Sequence, residues 1–247
     1  MASIELNGVT LFYPIFDSRS RSLKNTVMRK VGGRIYGKGD HVEVRALSNI
    51  SLKINSGDRV ALVGQNGAGK TTLLKVLAGI YEPPTGRIKI SGSVSSLTDM
   101  TMGMDLEASG RENILMRCIF LGMTHAEARE KAGEIEAFTE LGSYLDLPAR
   151  TYSTGMLVRL GFAASTALSP DILVMDEMIG AGDMAFAAKA SERVSSYVDN
   201  AKILVLASHN NAILRQFCNR AIFIDGGEIR ADGPVDEVIS LYESAYG

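Results

Sequence analysis

The stretch Gly64-Gln65-Asn66-Gly67-Ala68-Gly69-Lys70-Thr71 fits the G-x-x-x-x-G-K-[ST] phosphate-loop pattern, which constrains a fold more tightly than anything else in the chain. The pattern needs a strand before it and a helix after it. Val60-Ala61-Leu62-Val63 reads as a buried strand aimed at the loop, and residues 72–78 read as the helix leaving it. The glycines let backbone N–H groups curl around a polyphosphate without Cβ clashes. Those donors run from Gly64, Asn66, Gly67, Ala68 and Gly69 into Lys70, Thr71 and Thr72, where the first helical turn adds its unpaired N–H groups and positive dipole end. Lys70 is placed to reach the terminal phosphates, and the Thr71 hydroxyl to ligate Mg²⁺.

Two later stretches repeat the design of a buried strand with polar residues at its end. Asp171-Ile172-Leu173-Val174-Met175 is an apolar run closing on the carboxylates Asp176 and Glu177. In a parallel sheet active groups gather beyond the C-terminal ends of the strands, the edge where the phosphate loop lies. Asp176 then holds Mg²⁺ through water, and Glu177 orients and polarises an attacking water. Residues 202–208 form a second apolar run ending at His209, which at that edge serves as a donor to a γ-phosphate.

Around these lies a strand-rich chain with one helical segment. Residues 4–13 alternate loosely and predict a first strand ended by Pro14. Residues 17–45 interrupt with Arg19, Arg21, Lys24, Arg29, Lys30, Arg34 and Lys38 against few acids, and Leu23, Val27 and Val31 recur at helical spacing. This basic insertion is either a solvated helix folded on its own domain or a contact with lipid phosphates or a membrane partner. A strand over 46–54 leads into the phosphate-loop strand, and short strands are predicted over 87–90 and 93–97. A helical region then runs, with breaks, from 109 to about 144. From Asp99 onward this segment is rich in methionine (Met100, Met102, Met104, Met116, Met123), which suits core packing or an adaptable docking groove. Ser153-Thr154-Gly155 opens another helix, as a cap and as a ready anion site. A hairpin turning at Asp225-Gly226-Gly227 and a closing helix over 235–246 end the chain.

Composition removes other function classes. A net charge of -2 over 247 residues gives no global electrostatic reason for a nucleic-acid partner. The two cysteines, Cys118 and Cys218, are far apart in apolar surroundings and read as free core thiols of a cytosolic protein. The three histidines do not cluster, and no apolar run approaches the roughly 20 residues of a membrane helix. No signal peptide opens the chain, which reads as a soluble protein.

The ordered set of phosphate loop, helical insertion, Ser153-Thr154-Gly155, Asp176-Glu177 and His209 resembles the nucleotide-binding subunit of an ABC transporter over nearly the whole chain. Within that class it is similar to the ATPases that export lipid-linked polysaccharides such as O-antigen, capsule or teichoic acid. The pointers are Gly110-Arg111-Glu112-Asn113-Ile114, Tyr152-Ser153-Thr154-Gly155-Met156 with Arg159-Leu160-Gly161-Phe162-Ala163, and Gly182-Asp183 with Ala185-Phe186 and Lys189. The basic insertion is similar to an extra helix such exporters carry near the membrane.

The resemblance implies an α/β fold, a phosphate-loop NTPase core with a parallel sheet, an N-terminal antiparallel β-subdomain and a helical signature subdomain. It implies one domain over 1–247, with 1–98 and 150–247 as the core, 99–149 as the helical part and 17–45 as the basic insertion. It further implies a head-to-tail homodimer in which Ser153 and Gly155 of one subunit bind the γ-phosphate of ATP held by the other. Tyr13 matches the position that stacks on adenine, with Tyr36 as the alternative, and Asp183 matches an aspartate linking the two sites. Asp99 stands where a coupling Gln is usual, as a third candidate Mg²⁺ ligand beside Thr71 and Asp176. Thr154 and Met156 replace the second Gly and the Gln of the usual signature. The implied partners are an integral membrane permease in two copies and, through it, a lipid-linked polysaccharide, at the cytoplasmic face of the inner membrane. Two other functions keep the same motifs: a transporter ATPase for another cargo, such as a peptide, drug or nutrient, or an ABC-type ATPase acting on DNA or the ribosome.

Overall fold

The computed structural model describes residues 1–15, 35–36, 42–97, 103–176 and 184–246. Asp99, Glu177, Asp183 and the predicted helix of the basic insertion lie outside the described residues. Contacts divide the chain into two units: Met1–Gly92 with Val174–Glu177 and Lys202–Gly247, and Ser93–Leu173 with Met178–Ala201.

The first unit holds two sheets. Strands β1 (Ser3–Ile15), β2 (Ile35–Tyr36), β3 (Val42–Asn55) and β5 (Thr85–Ser91) form an antiparallel sheet in the order β2-β3-β1-β5. Ile4, Leu6, Val9 and Leu11 are buried along β1, so the loose alternation of the sequence marks its core face. β1 runs two residues past the predicted stop and β3 begins four residues earlier than predicted, because these extensions pair with each other: Tyr13 opposite Val44, Pro14 opposite Glu43. Pro14 is tolerated because the pairing of β1 with β5 ends at Thr10, so beyond it β1 has one neighbour.

The other sheet carries the phosphate loop. Strands β4 (Arg59–Val63), β7 (Ile172–Asp176), β8 (Ile203–Ala207), β9 (Arg220–Asp225) and β10 (Glu228–Pro234) lie in the order β10-β9-β4-β8-β7. β4 pairs in parallel with both β8 and β9. Val60 to Val63 and Ile203 to Ala207 are all buried, as continuous apolar runs in a parallel sheet require. Helix α1 (Lys70–Leu77) leaves the loop with Leu73, Leu74, Val76 and Leu77 fully buried, each stabilising by roughly 1.5–3 kcal/mol through transfer from water.

In the second unit, strand β6 (Val94–Ser96) is flanked by Ser93, whose carbonyl accepts from Ile172 N at 2.9 Å. Helices α2 (Gly110–Phe120) and α3 (His125–Thr139) both open on capping boxes, Ser109 with Glu112 and Thr124 with Glu127. Helix α4 (Thr154–Ser165) and helix α5 (Met184–Asn200) complete the unit. Phe138, Phe162 and Phe186 meet with ring centroids 5.7–6.0 Å apart, and Arg193 and Lys189 lie over Phe138. Burial of Phe186, Ala190, Val194 and Tyr197 follows the helical period of α5, an element the sequence reading passed over. Helix α6 (Asn211–Phe217), in the first unit, was passed over too, and its Asn210 cap accepts from Ala212 N and Ile213 N. The closing helix α7 spans Val235–Tyr246.

Cys118 and Cys218 are buried free thiols; burial pushes the Cys218 thiol up to about 12. Met123 is core while Met116 is partly exposed. None of the described helices is long and apolar enough to cross a membrane.

Candidate functional site

The phosphate loop is shaped by its own chain before any ligand arrives. A Cβ on Gly69, whose φ is +113°, would lie 2.8 Å from the Ala46 carbonyl oxygen, so β3 passes too close for any other residue there. Ala68 donates its N–H to Gln65 O at 3.1 Å and accepts at its carbonyl from Gly227 N at 2.8 Å. The β9–β10 turn therefore braces the loop, and Gly227 in turn accepts from Ser48 N at 2.8 Å. Lys70 is 8% exposed, and its ammonium donates to Gly64 O at 2.5 Å and to Gln65 O at 3.0 Å. A buried cation is thus held by the carbonyls of the loop that surrounds it.

Beside the loop is a cavity of about 340 Å³. Gln65, Asn66, Gly67, Gly69, Lys70, Thr71 and Thr72 line one wall. Asp176 and His209 come from the ends of β7 and β8, and Tyr13, Val44, Arg45 and Ala46 come from the antiparallel sheet. Nine of the site residues singled out in the sequence face this one space: Tyr13, Asn66, Gly67, Gly69, Lys70, Thr71, Thr72, Asp176 and His209. Gly64 and Ala68 stand behind the wall as buried residues of the loop. Thr71 Oγ1 donates to Asp176 Oδ2 at 2.7 Å, so the hydroxyl and carboxylate proposed for Mg²⁺ already meet. These are hard oxygen donors in a pair, the protein share that Mg²⁺ takes when phosphate oxygens and water supply the rest. Among the described residues no group of three or more His, Cys, Asp or Glu forms an all-protein cage.

Tyr13 is half-buried, with its hydroxyl 3.4 Å from Thr72 Oγ1, to which it donates. Its ring meets Tyr81 at 5.8 Å between centroids and 77° between planes, and burial pushes its phenol up. Tyr36 contributes backbone pairing opposite Glu43. Arg45 and Gly227 are the residues the sequence reading missed. Arg45 marks only the end of the insertion in the sequence, and Gly227 only a turn; register opposite Phe12 and the bond to Ala68 O bring them to the loop.

The signature turn lies in the second unit. Ser153 caps α4, accepting at its hydroxyl from Met156 N at 3.2 Å. Ser153, Thr154 and Gly155 are exposed. Among the described residues a Cβ on Gly155 would meet nothing nearer than Ser153 Oγ at 3.9 Å, so their packing does not require glycine there.

The family model of the ABC transporter matches residues 47–180, just over half of the chain. The chain belongs to the ABC transporter family. Membership makes this an ATP-binding, ATP-hydrolysing cassette. The cassette is 47% identical over 231 residues to the O-antigen export system ATP-binding protein RfbE of Yersinia enterocolitica, covering 93% of this chain and 97% of the relative. It is 41% identical to the O-antigen export system ATP-binding protein RfbB of Myxococcus xanthus, over 91% of this chain and 51% of that protein. It is 37% identical to the teichoic acids export ATP-binding protein TagH of Lactococcus lactis, over 91% of this chain and 47% of the relative. The cassette therefore spans nearly all of the first relative and about half of the other two. Its fold matches the ATP-binding cassette MJ0796, in a dimeric post-hydrolysis structure bound to ADP and Pi, with a TM-score of 0.66 at 20% identity over 94% of this chain and 98% of that one. The predicted α/β fold with an antiparallel sheet, a phosphate-loop sheet and a helical part is the observed one.

Proposed function

We propose that this cassette is the ATPase subunit of an exporter of lipid-linked polysaccharide, working as a homodimer on the cytoplasmic face of the inner membrane beneath two copies of an integral permease. The observation that carries the ATPase half is the single cavity lined by Lys70, Thr71, Asp176 and His209 with Tyr13 on its far wall. The cargo half is supported by the relatives, which are named for O-antigen and teichoic acid export. The net charge of -2 supports no nucleic-acid partner.

Each residue then has a physical task. Lys70 exchanges its loop carbonyls for the β- and γ-phosphate oxygens, a stronger charge-assisted partner. The N–H groups of Gly64, Asn66, Gly67, Ala68 and Gly69, continuing through Thr71 and Thr72, cradle the phosphates at the N-terminus of α1. Thr71 and Asp176 hold Mg²⁺, whose charge offsets that on the phosphate oxygens, with Asp99 as a further ligand. Glu177 orients the attacking water and accepts its proton. His209 donates a hydrogen bond to the γ-phosphate. Tyr13 stacks on adenine. Ser153 and Gly155 of the second subunit complete the γ-phosphate site, and Asp183 links the two sites. The open space outside Gly155 supports this, because a backbone N–H without a Cβ in front of it admits a phosphate.

Glu177→Gln tests the reading. The variant is expected to bind ATP, to form a stable dimer on a sizing column, and to lose turnover by at least about 10²-fold. Ready hydrolysis by that variant removes Glu177 from the role. Accumulation of an undecorated lipid-linked glycan in cells carrying it tests the cargo.

A further inference from the structure

Behind the exposed signature turn sits a tyrosine that none of the roles above uses. Tyr152, immediately before Ser153, is 8% exposed, and its hydroxyl donates to Tyr144 O at 2.6 Å. Tyr144 lies in the 3₁₀ turn Gly142–Asp146. The N-terminus of α2 closes the other side of the phenol. A Cβ on Gly110 would land on the Tyr152 hydroxyl and 2.8 Å from a Leu145 methyl. Glycine at 110 is thus the condition for Tyr152 to lie where it does.

The chain entering Tyr152 is tied down as well. Ser109 and Pro148 form an antiparallel bridge, Ala149 N donates to Ala108 O at 2.9 Å, and Arg150 N donates to Leu106 O at 2.8 Å. That strap is knotted by Asn113, 2% exposed, whose Nδ2 donates to the carbonyls of Asp105 at 2.8 Å and Ser109 at 2.9 Å while its Oδ1 accepts from Asp105 N at 2.9 Å. A fully satisfied buried amide of this kind fixes backbone direction. The strap is bonded on both sides up to Tyr152, and Ser153 to Gly155 are exposed.

We propose that Tyr152 is a positioning residue for the signature turn: wedged between Gly110 and Tyr144 O, it sets the direction in which Ser153 and Gly155 face the nucleotide of the other subunit. The inference rests on the reading that these two residues act in trans. Tyr152 touches no reacting atom and acts through Ser153 and Gly155.

A double-variant cycle tests this. In the Glu177→Gln background, ATP-driven dimerisation is measured by sedimentation for Tyr152→Phe, Ser153→Ala and the pair, with monomer affinity for a fluorescent ATP analogue measured at low protein concentration. Circular dichroism checks that each variant folds. In the Glu177 protein, kcat and KM for ATP are measured for the same set. Tyr152→Phe keeps the ring and loses the bond to Tyr144 O. It is expected to weaken dimer closure and kcat by about three- to tenfold, with monomer affinity unchanged. On top of Ser153→Ala its effect is expected to be less than additive, which a merely structural loss would not produce. Closure weakened by Ser153→Ala but untouched by Tyr152→Phe, or fully additive effects, overturns the positioning role. Closure untouched by Ser153→Ala overturns the trans site itself, and this inference with it.

Discussion

The phosphate loop and the signature turn are both small-residue turns at helix N-termini, yet the chain treats them in opposite ways. The loop is over-determined: Gly69 lies against Ala46, Ala68 is bonded to Gly227, and Lys70 is buried on loop carbonyls. The signature turn is held from behind and bare in front, with Gly155 facing open space. A site pre-organised within one fold binds without waiting, whereas a bare turn gains its partner groups only when another surface arrives. On the proposed reading, the difference separates a nucleotide cradle built within one subunit from a lid completed only by pairing.

Substitutions sharpen or break that contrast. The largest effect is expected from Lys70→Ala, which removes the cation of the cradle: turnover should fall by about 10²–10³-fold and monomer ATP binding should weaken with it, measured by phosphate release and by calorimetry. If Lys70→Ala spares monomer binding, the cradle is not complete in one chain. The two glycines come next. Gly69→Ala forces a side chain into a left-handed backbone and onto the Ala46 carbonyl, and should cost about 2 kcal/mol or more of stability, visible as a melting point lower by several degrees. Gly155→Ala, in the first turn of α4 with room for a methyl, should leave the melting point unchanged or raised by the equivalent of about 0.5–1 kcal/mol, while turnover falls. Equal losses of stability in the two variants would erase the distinction.

A smaller change is expected at Arg45, which lines the cavity from β3 beside the strand position of Tyr13. Arg45→Ala should raise KM for ATP by about three- to tenfold with kcat little changed, because the lost contact is made equally before and during reaction. The smallest concerns pH. Hydrogen bonds from the Ser109 and Thr124 caps hold the Glu112 and Glu127 carboxyls below the usual range. A depressed carboxyl contributes stability that is present above its unfolded value and lost as pH falls through its folded value. The helical unit should therefore lose a slight increment of thermal stability below about pH 4.5, and Glu112→Gln with Glu127→Gln should flatten that slope in a melting series.

Much of the site was legible because its residues announce themselves locally. The loop residues 64–72 are contiguous, and Asp176 and His209 stand at the ends of apolar runs that are neighbours in one sheet. Ser153 was legible as a cap for the same reason: the side chain bonds its own helix three residues on. Arg45, Gly227 and Gly110 were not legible. Each owes its place to a partner far along the chain: Arg45 to the register opposite Phe12, Gly227 to Ala68 and Ser48, and Gly110 to the phenol of Tyr152. Pro14 misled in the same way, since whether a proline ends a strand depends on which side of it has a neighbour.

By itself, then, the sequence determined which groups could meet a phosphate and which elements carry them, since short-range spacing and apolar runs encode both. Tertiary structure decided which surfaces hold those groups rigid and which stay open, because that depends on backbone approach between segments distant in the chain, where a carbonyl three ångströms away leaves no mark on local composition.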